Sequence, residues 1–589
     1  MILKYFYRWS SVLLLIPGIV LANQGGNRES PANDWKTCYQ ESGLPFLCGS
    51  KPPAIDWQAC YRESGLPFLC GSVDVPLDYN APEGGKLNLA LIKLPAAMGE
   101  RSRPVRKIGS LFLNPGGPGI SGVDFVLGAG QVLPLELRER FDIIGFDPRG
   151  TARSNPLVCF NGPVTAPPFF FPRTPAEEAL TAKFDLRLAT KCKANGGSVF
   201  DHMSTANVAR DLDVLRQAVG DSRLNYVGYS YGSFLGITYA NLFPNRIRTM
   251  VLDGIVDPIA YTTGDGDEGY TLPVTTRLRR AEGSQATLNE FFRLCDQAGL
   301  GQCPFGNMAA SKFDFLVDHL RAAPVHIIDP ITGPYDLTYD RFIATVFGAL
   351  VNSLEWPLLS VTLNEIHAAI SDGSEDTAKR AGEALAVLAA TIGDPADPED
   401  PTQTLAAQQF SVLCTDSINP DNHEAWSLAG AAADENVGVF GRITTWQSSP
   451  CAVWRSNDPD RYLGPFSRVT SKPILIVANL FDPLTPYEGA QQVHGLLPNS
   501  ALLTLEGWGH TSLFLSSCVD QTVFSYLLTS RVSRTETSCQ QDVTPFADTL
   551  AEPMIAADET SPEANRANAR RRTMQKIGGP VLLGPENRQ

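Results

Sequence analysis

Several features of other protein classes are missing from this chain of 589 residues. Beyond the first 22 residues, no segment approaches the roughly 20 consecutive apolar residues of a membrane-spanning helix. The formal net charge is -15, so neither nucleic acid nor an anionic membrane surface is expected as a partner. No cysteines stand in a Cys-x-x-Cys or other zinc-ligand spacing, and we expect no metal and no cofactor. No Asn-x-Ser/Thr sequon occurs, which is unusual for a glycosylated secretory protein of this length.

The N-terminus has the order of features of a secretory signal peptide. Lys4 and Arg8 precede the apolar stretch from Ser11 to Leu21, and Val20-Leu21-Ala22 supplies small residues for cleavage. The stretch is too short for a stable membrane anchor, although an uncleaved anchor is the alternative reading. The sequence therefore predicts removal of residues 1–22 and a secreted, extracellular protein without membrane attachment.

Twelve cysteines fall into six close pairs along the sequence. In a secreted chain an even number of cysteines predicts disulfides, but connectivity cannot be deduced from sequence, and the pairing rests on proximity. Closing loops of these sizes contributes roughly 2–4 kcal/mol each to stability. The predicted pairs are Cys38–Cys48, Cys60–Cys70, Cys159–Cys192, Cys295–Cys303, Cys414–Cys451 and Cys518–Cys539.

The first two pairs lie in a duplicated segment. Residues Asp34–Ser50 and Asp56–Ser72 are identical at 14 of 17 positions. Two copies are too few for a solenoid, so each copy is interpreted as a small loop closed by its own disulfide. Only the second copy continues into Val73–Tyr79, which is interpreted as an entry into a sheet, and the first copy looks dispensable.

Strand-like and helical segments alternate over most of the chain, which predicts an α/β fold with a mostly parallel sheet flanked by helices. Between Asp257 and Tyr462 helical periodicity dominates, for instance in Leu316–Ala322 and Ala378–Ile392, which predicts an inserted, mainly helical cap. The predicted strands are Leu87–Lys93, Gly109–Leu113, Asp142–Phe146, Asn225–Val227, Thr249–Leu252, Ile474–Ala478 and Leu502–Leu505.

These patterns predict six segments along the chain. They are the signal peptide (1–22), the duplicated cysteine loops (23–72), the first part of the core (73–258), the cap (259–461), the second part of the core (462–545) and a polar tail without fixed structure (546–589).

A serine in a glycine-flanked turn is the strongest chemical signal. The turn Gly228–Gly232 is centred on Ser230, follows the strand-like Leu224–Val227 and precedes the helical Ser233–Ala240. A sharp strand-to-helix turn exposes the serine hydroxyl, and small residues two positions away on each side prevent collisions with neighbouring backbone. A base must still remove the hydroxyl proton before the serine is a good nucleophile.

The partners of such a serine are present far downstream. Asp482 follows an apolar strand and His510 follows Gly507-Trp508-Gly509. Taken alone, Asp482-Pro483 would be a turn and His510 a hydrogen-bonded structural residue. The order Ser, Asp, His, with each residue near a strand end, predicts a catalytic triad instead.

An acyl-transfer serine also needs donors for the developing oxyanion. The glycine-rich segment Asn114–Gly119 follows a predicted strand, where such a site is normally built. We expect the amides of Gly116 or Gly117 and of Tyr231, the residue after the nucleophile, to serve as donors.

With these motifs the chain resembles the secreted tripeptidyl aminopeptidase and prolyl iminopeptidase group of α/β-hydrolases, over about Trp57 to Cys539. The resemblance implies the α/β-hydrolase fold with a helical cap, serine exopeptidase activity through Ser230, Asp482 and His510, and a Cys518–Cys539 disulfide bracing the histidine loop. The sequence departs from the group at Pro115, where histidine is usual in prolyl iminopeptidases, and at Thr511, where glycine often follows the histidine. The segments that carry the resemblance are Val75–Tyr79, Asn114–Gly119, Phe146–Gly150, Tyr226–Gly232, Asp253-Gly254, Asp257-Pro258, Cys414–Asp416, Cys451–Trp454, Asp482–Pro486, Gly509-His510 and Cys518-Val519.

An aminopeptidase must also bind the free α-ammonium of its substrate, and carboxylates in or near the cap are the physical candidates. Asp416 follows a cysteine close to the point where the cap rejoins the core, and we take Asp416 and Asn114 as candidate substrate-binding residues. A solvated or capping role for Asp416 is the alternative, and Glu488 and Asp147 are weaker candidates.

The sequence thus predicts a secreted serine exopeptidase that releases tripeptides or single residues from peptide N-termini. An esterase, lactonase or amidase acting on a small metabolite is the alternative, because fold and triad do not separate amides from esters. A catalytically silent binding module on the same fold is disfavoured, because every catalytic part is present. The expected partner is a peptide or small-molecule substrate.

Overall fold

A computed structural model describes residues 53–97, 106–160, 162, 167–392, 402–533 and 536–547. The predicted signal peptide, the first cysteine loop with its Cys38–Cys48 pair, the break at 393–398 and the tail beyond residue 547 lie outside the described residues.

Ten of the twelve strands in the described residues form one sheet, in the order β1-β2-β3-β5-β4-β6-β7-β10-β11-β12. Strands β1, β2, β3 and β5 pair antiparallel with one another, and every later pair is parallel. The strands are β1 (Gln58–Ala59), β2 (Leu69–Pro76), β3 (Lys86–Leu94), β4 (Gly109–Asn114), β5 (Phe141–Phe146), β6 (Leu224–Tyr229), β7 (Ile247–Asp253), β8 (Val325–Asp329), β9 (Gly333–Leu337), β10 (Ile474–Phe481), β11 (Ser500–Trp508) and β12 (Thr537–Gln540); β8 and β9 form a separate hairpin.

All seven predicted strands lie inside observed ones, and the predicted α/β-hydrolase fold is confirmed. The central strands β4 and β6 are buried at every position, as expected for parallel strands covered by helices on both faces. Parallel strands end at one edge of the sheet, and there a polar residue ends or directly follows β4, β6, β7 and β10. The candidate functional residues therefore lie at that edge.

Helices cover the sheet and fill the segment between β7 and β10. The described helices are α1 (Gly122–Ala129), α2 (Leu135–Arg138), α3 (Pro175–Asn195), α4 (Thr205–Ala218), α5 (Tyr231–Leu242), α6 (Pro258–Thr262), α7 (Glu268–Thr271), α8 (Val274–Arg277), α9 (Arg280–Ala298), α10 (Ala309–Ala322), α11 (Tyr339–Leu350), α12 (Trp356–Asp372), α13 (Glu375–Ile392), α14 (Thr402–Asp416), α15 (Glu424–Asn436), α16 (Gly441–Trp446), α17 (Tyr487–Leu496) and α18 (Ser517–Thr529).

The insertion between β7 and β10 is mainly helical, as predicted, and the predicted helical segments lie within α10 and α13. The hairpin β8–β9 was not expected from the sequence. That the insertion (259–461) forms a separate cap domain stays a prediction. Within the described ranges no single helix has the length and hydropathy of a membrane span, and the pair Tyr339–Leu350 with Ser353–Asp372 meets those criteria only together, with a bend of 116°.

Five of the six predicted disulfides are present in the described residues. They close the β1–β2 loop, tie the segment after β5 to α3, close the end of α9, link α14 to the 3₁₀ helix Ser449–Ala452, and join α18 to β12. The pairs are Cys60–Cys70, Cys159–Cys192, Cys295–Cys303, Cys414–Cys451 and Cys518–Cys539.

The Asp147-Pro148-Arg149-Gly150 motif has a structural explanation. The fully buried Arg149 guanidinium makes two hydrogen bonds of 2.7 Å to the carboxylate of Asp211 on α4. It also donates to the carbonyls of Pro76 and Leu77 at the end of β2. A buried charge is tolerated only when it is paired and hydrogen-bonded. This arginine therefore ties the segment that follows β5 to the end of β2 and to α4.

Candidate active site

Ser230 stands alone between the end of β6 and the start of α5, with φ 55° and ψ −125°. A non-glycine residue in such a conformation is strained by about 1–3 kcal/mol and needs its surroundings to hold it. The close packing explains the flanking glycines: a Cβ on Gly228 would lie 2.2 Å from the Gly232 carbonyl oxygen. A Cβ on Gly232 would lie 2.7 Å from the Asn114 amide oxygen. The sequence therefore folds here into the predicted sharp turn.

Asp482 and His510 are in direct contact at the ends of β10 and β11. His510 Nδ1 lies 2.9 Å from both carboxylate oxygens of Asp482, and both side chains are buried. The amides of Leu484 and Thr485 donate to Asp482 Oδ1 at 2.9 Å, and the Thr485 hydroxyl donates to Oδ2 at 2.8 Å. The carboxylate is thus held by its own loop and aimed at the imidazole.

Electrostatics keep that carboxylate charged. Burial acts to raise the pKa of Asp482, but the His510 imidazole and the amides of Thr485 and Leu484 outweigh it and hold the pKa below its ordinary value. A charged acceptor at Nδ1 fixes the proton on that nitrogen, so Nε2 carries the lone pair. Nε2 is buried and has no hydrogen-bond partner among the described residues. His510 therefore presents an unused proton acceptor.

Ser230 and His510 make no hydrogen bond to each other in the described contacts, and such bonds are often long before a substrate is present. The segment Asp253-Gly254 contacts both of them. Gly254, which follows β7, packs against the histidine, because a Cβ there would lie 3.2 Å from His510 Cε1. The residue before it, Asp253, accepts the Ser230 amide on its carbonyl at 2.8 Å.

The glycine loop after β4 lies against Ser230. Gly116 and Gly117 have φ of 95° and 103°, which favours glycine, and a Cβ on Gly116 would lie 2.5 Å from the Tyr229 carbonyl oxygen. The Gly116 amide donates to the Asn114 side chain at 3.0 Å. Gly117 lines the pocket beside Ser230 and Tyr231. Asn114, 1% exposed, holds the loop from inside rather than facing a substrate.

Asp416 lies behind Tyr231 and is 2% exposed. Its oxygens accept the Thr205 amide at 2.9 Å and the Thr205 hydroxyl at 2.5 Å, and that hydroxyl also lies 2.5 Å from the Tyr231 hydroxyl. Burial raises the pKa of Asp416 to about 7, against these hydrogen bonds. Asp416 does not line the pocket that contains Ser230, so its direct contact with an ammonium group stays a prediction without geometric support.

The other residues singled out in the sequence have local roles. Asp147 accepts hydrogen bonds from Ser121 and from the Val123 amide, at the start of α1. Glu488 lies in the first turn of α17. Thr511 has φ 66°, a backbone conformation that glycine adopts without strain, which explains why glycine is usual there.

A pocket opens over Ser230 between the sheet and the insertion. It joins core residues to residues from α6, α8, α9 and α14, and the Gln409 side chain reaches the Gly117 carbonyl at 3.4 Å. The lining residues are Gly117, Pro118, Ser230, Tyr231, Val256, Tyr261, Thr275, Arg280, Gln409, Phe410, Leu413 and Gln447. Sequence reasoning did not find Tyr261, Arg280 and Gln447. They lie in a mainly helical region where the spacing of apolar residues reflects helix packing and gives no motif for a binding site.

A second, aromatic pocket adjoins the first and shares Phe410 and Gln447 with it. Asp185 on α3 lines this second pocket, with one oxygen 2.9 Å from His423 Nε2. Burial raises the pKa of Asp185, although the contact with His423 opposes the shift. The remaining lining residues are Pro167, Phe169, Phe170, Phe171, Pro172, Thr181, Phe184, Trp446, Ser449 and Pro450.

Comparison with known proteins gives two family matches and several relatives that match over most of their length. Residues 109–292 match the alpha/beta hydrolase fold, and residues 436–539 match the family described as TAP-like protein. Serine protease Hip1 of Mycobacterium tuberculosis (strain ATCC 25618 / H37Rv) is 32% identical over 474 residues, which cover 77% of this chain and 83% of that protein.

Two further relatives have a similar extent. Tripeptidyl aminopeptidase of Streptomyces lividans is 30% identical over 487 residues, covering 80% of this chain and 83% of that protein. Carboxylesterase B of the same M. tuberculosis strain is 31% identical over 490 residues, covering 79% and 84%. Together with the strained serine and the buried histidine–carboxylate pair, these matches show that the chain belongs to the α/β-hydrolase family and is a serine hydrolase with a TAP-like C-terminal region.

Proposed function

We propose that this protein is a secreted serine exopeptidase that releases tripeptides or single residues from the N-termini of peptides. The observation that carries the proposal is the buried Asp482–His510 pair, whose Nε2 has no partner among the described residues, together with a serine held in a strained turn at the end of β6. The relatives named serine protease Hip1 and tripeptidyl aminopeptidase support a peptide substrate.

The chemistry follows from these groups. Ser230 Oγ attacks the scissile carbonyl carbon while His510 Nε2 takes the hydroxyl proton, and Asp482 stabilises the imidazolium that forms. Breaking the C–N bond returns that proton to the leaving amine and leaves an acyl-enzyme on Ser230. Water, deprotonated by the same imidazole, then hydrolyses the ester and restores the serine.

The developing oxyanion would be bound by the amides of Gly117 and Tyr231. The Gly116 amide is occupied by Asn114, which leaves Gly117 as the glycine donor in this assignment. Two such donors are worth about 3–4 kcal/mol each in the transition state.

The residues that line the pocket favour binding of the end of a substrate peptide over binding of an internal segment. Insertion residues such as Gln409 and Phe410 cover Ser230, which restricts access to small or unfolded substrates. The adjoining aromatic pocket is lined by the carboxyl group of Asp185, a further candidate for binding a free α-ammonium, and its contact with His423 opposes the rise in pKa that burial causes. Asp185 therefore joins Asp416 as a candidate ammonium-binding residue, and it has the advantage of lining a pocket that shares Phe410 and Gln447 with the pocket of Ser230.

For the location of the protein, we propose that it is secreted. The predicted signal peptide and the five disulfides fit an oxidising compartment outside the cytosol.

An esterase acting on a small metabolite is the second candidate, and the relative named carboxylesterase B favours it. One substrate panel separates the two: N-terminally free tripeptide anilides, the same anilides with acetylated N-termini, and a short-chain aryl ester. Cleavage of free peptides well above acetylated ones supports the exopeptidase. Equal rates contradict an aminopeptidase, and turnover of the ester alone establishes the esterase. Ser230→Ala must lose both turnover and labelling by an organophosphonate.

A further inference from the structure

Three hydrogen-bond donors in the pocket over Ser230 have no acceptor. They are Arg280 Nε, the Tyr261 hydroxyl and Gln447 Nε2, all buried atoms without a partner among the described residues. Buried donors are nearly always satisfied in folded proteins, because an unmade hydrogen bond costs about 1–3 kcal/mol. Three such donors lining one pocket beside a nucleophile point to a ligand that brings acceptors.

The charge of Arg280 is only partly offset, because burial lowers the pKa of the guanidinium while Asp482, beyond ion-pair distance, acts to raise it. The guanidinium stays protonated at neutral pH, and its one described hydrogen bond, from Nη1, goes to the neutral amide oxygen of Gln447 at 3.3 Å. Within the part of the chain that the structure describes, no carboxylate forms an ion pair with it. Asp482 is committed to His510 and Thr485, and Asp416 to Thr205.

The position of Arg280 in the fold is fixed by the core. Arg280 is the first residue of α9, and that helix packs on the loop that carries the catalytic acid, where the Ser284 hydroxyl donates to the Pro483 carbonyl at 2.8 Å. A Cβ on Gly283 would lie 2.9 Å from the Asp482 carbonyl oxygen, so the helix lies as close to this loop as glycine permits. The start of α9, and with it Arg280 in the lining of the pocket that contains Ser230, is therefore positioned by contacts that do not involve a substrate.

We propose that Arg280, Tyr261 and Gln447 form a carboxylate-binding subsite beside Ser230, and that the substrate carries a carboxylate next to the scissile bond. The proposal rests on the proposed function of Ser230 as nucleophile. The carboxylate can come from an acidic side chain on the acyl side or from the free C-terminus of a short leaving peptide. Arginine binds either through two parallel hydrogen bonds, with Tyr261 as a third donor.

The test compares labelling rates at Ser230, which need the nucleophile but no turnover. In the first arm, a peptidyl aryl phosphonate ending in a glutamate analogue is compared with its glutamine analogue. In the second arm, a peptide with a free C-terminus and its C-terminal amide compete against the neutral phosphonate. At least one arm should favour the carboxylate by about tenfold to a hundredfold, the value of a charged hydrogen bond.

Arg280→Gln should bring that ratio to about one, because it removes the positive charge and the paired guanidinium donors, and Tyr261→Phe should reduce the ratio, because it removes one donor at nearly constant volume. The matched control is Arg279→Gln: Arg279 is the exposed neighbour, paired at 3.6 Å with Glu282, and its loss should leave the ratio intact. Thermal unfolding of each variant checks that the fold persists.

The two proposals fail differently. Ratios near one in both arms of the wild-type protein, or an undiminished preference in Arg280→Gln, overturn the subsite while Ser230 labelling stands. Wild-type protein that is not labelled, or Ser230→Ala that is, overturns the assigned nucleophile and the subsite with it.

Discussion

The carboxylate of Asp253 accepts two hydrogen bonds from Ser512, from its amide at 3.0 Å and from its hydroxyl at 2.7 Å. Ser512 lies two residues after His510, and the carbonyl of the same Asp253 accepts the Ser230 amide. One residue at the end of β7 therefore fixes both the backbone of Ser230 and the loop of His510. The two halves of the site, which are 280 positions apart in the sequence, share this support.

The pH dependence of stability should carry the signature of two buried acids. Burial raises the pKa of Asp253 to about 7, although the hydrogen bonds from Ser512 oppose the shift, and burial does the same to Asp416. An unfolded aspartate has a pKa near 3.9, so between about pH 4 and 7 the folded chain keeps protons that the unfolded chain has lost. The free energy of unfolding therefore falls as pH rises through that window, by at most about 1.4 kcal/mol per pH unit for each group.

Asp253→Asn and Asp416→Asn should each make that slope shallower, because the amide does not titrate. Denaturant unfolding at several pH values between 4 and 8 measures the slope. The exposed Asp421→Asn serves as the control and should keep the wild-type slope. Identical slopes in all four proteins would refute the assignment of the raised pKa values.

The orientation of the imidazole should depend on the charge of Asp482. Asp482→Asn keeps the size of the side chain but presents an amide donor that no longer fixes the proton on His510 Nδ1. We expect kcat to fall by about 10³–10⁴-fold, with little change in unfolding temperature. Steady-state kinetics on the best substrate of the panel measure this loss. A decrease of only a few fold would mean that another acid holds the histidine.

The tight turn at Ser230 should not accept a methyl group at Gly228. Its Cβ would lie 2.2 Å from the Gly232 carbonyl oxygen, and backbone cannot move aside as a flexible side chain can. Gly228→Ala should cost about 1–3 kcal/mol or more of stability and misplace the nucleophile. Gly495→Ala in α17 is the matched control, because nothing lies within 4 Å of its Cβ and alanine favours a helix. Equal stability of the two variants would contradict the packing described.

Recognition of a free N-terminus should depend on Asp185. Asp185→Asn removes the charge that would pair with the substrate ammonium, so KM for N-terminally free peptides should rise by about tenfold or more. Hydrolysis of acetylated peptides or of the aryl ester provides the internal control and should change little. An equal loss on free and acetylated substrates would indicate that Asp185 supports the structure of α3 instead.

Much of the site was readable from the sequence because its constraints are local. The Gly228–Gly232 turn needs glycines at fixed offsets, and the glycines after β4 need positive φ. The five disulfides in the described residues join cysteines close in sequence, so proximity predicted them. Asp482 and His510 follow apolar strands, and parallel strands bring their ends to one edge whatever lies between them.

The tertiary structure decided what surrounds that edge. The pockets are lined by Arg280, Tyr261 and Asp185, which lie on helices. The sequences of these helices show only the apolar periodicity of helix packing, because residues that line a pocket need not recur at a regular spacing. The structure also shows that Asp416 is hydrogen-bonded to Thr205, a contact across 211 positions of the sequence. Asn114 accepts the Gly116 amide within a tight loop. The sequence alone thus predicted the reaction centre, through local backbone geometry and strand order, whereas the residues that line the pockets are set by long-range packing that only the folded chain reveals.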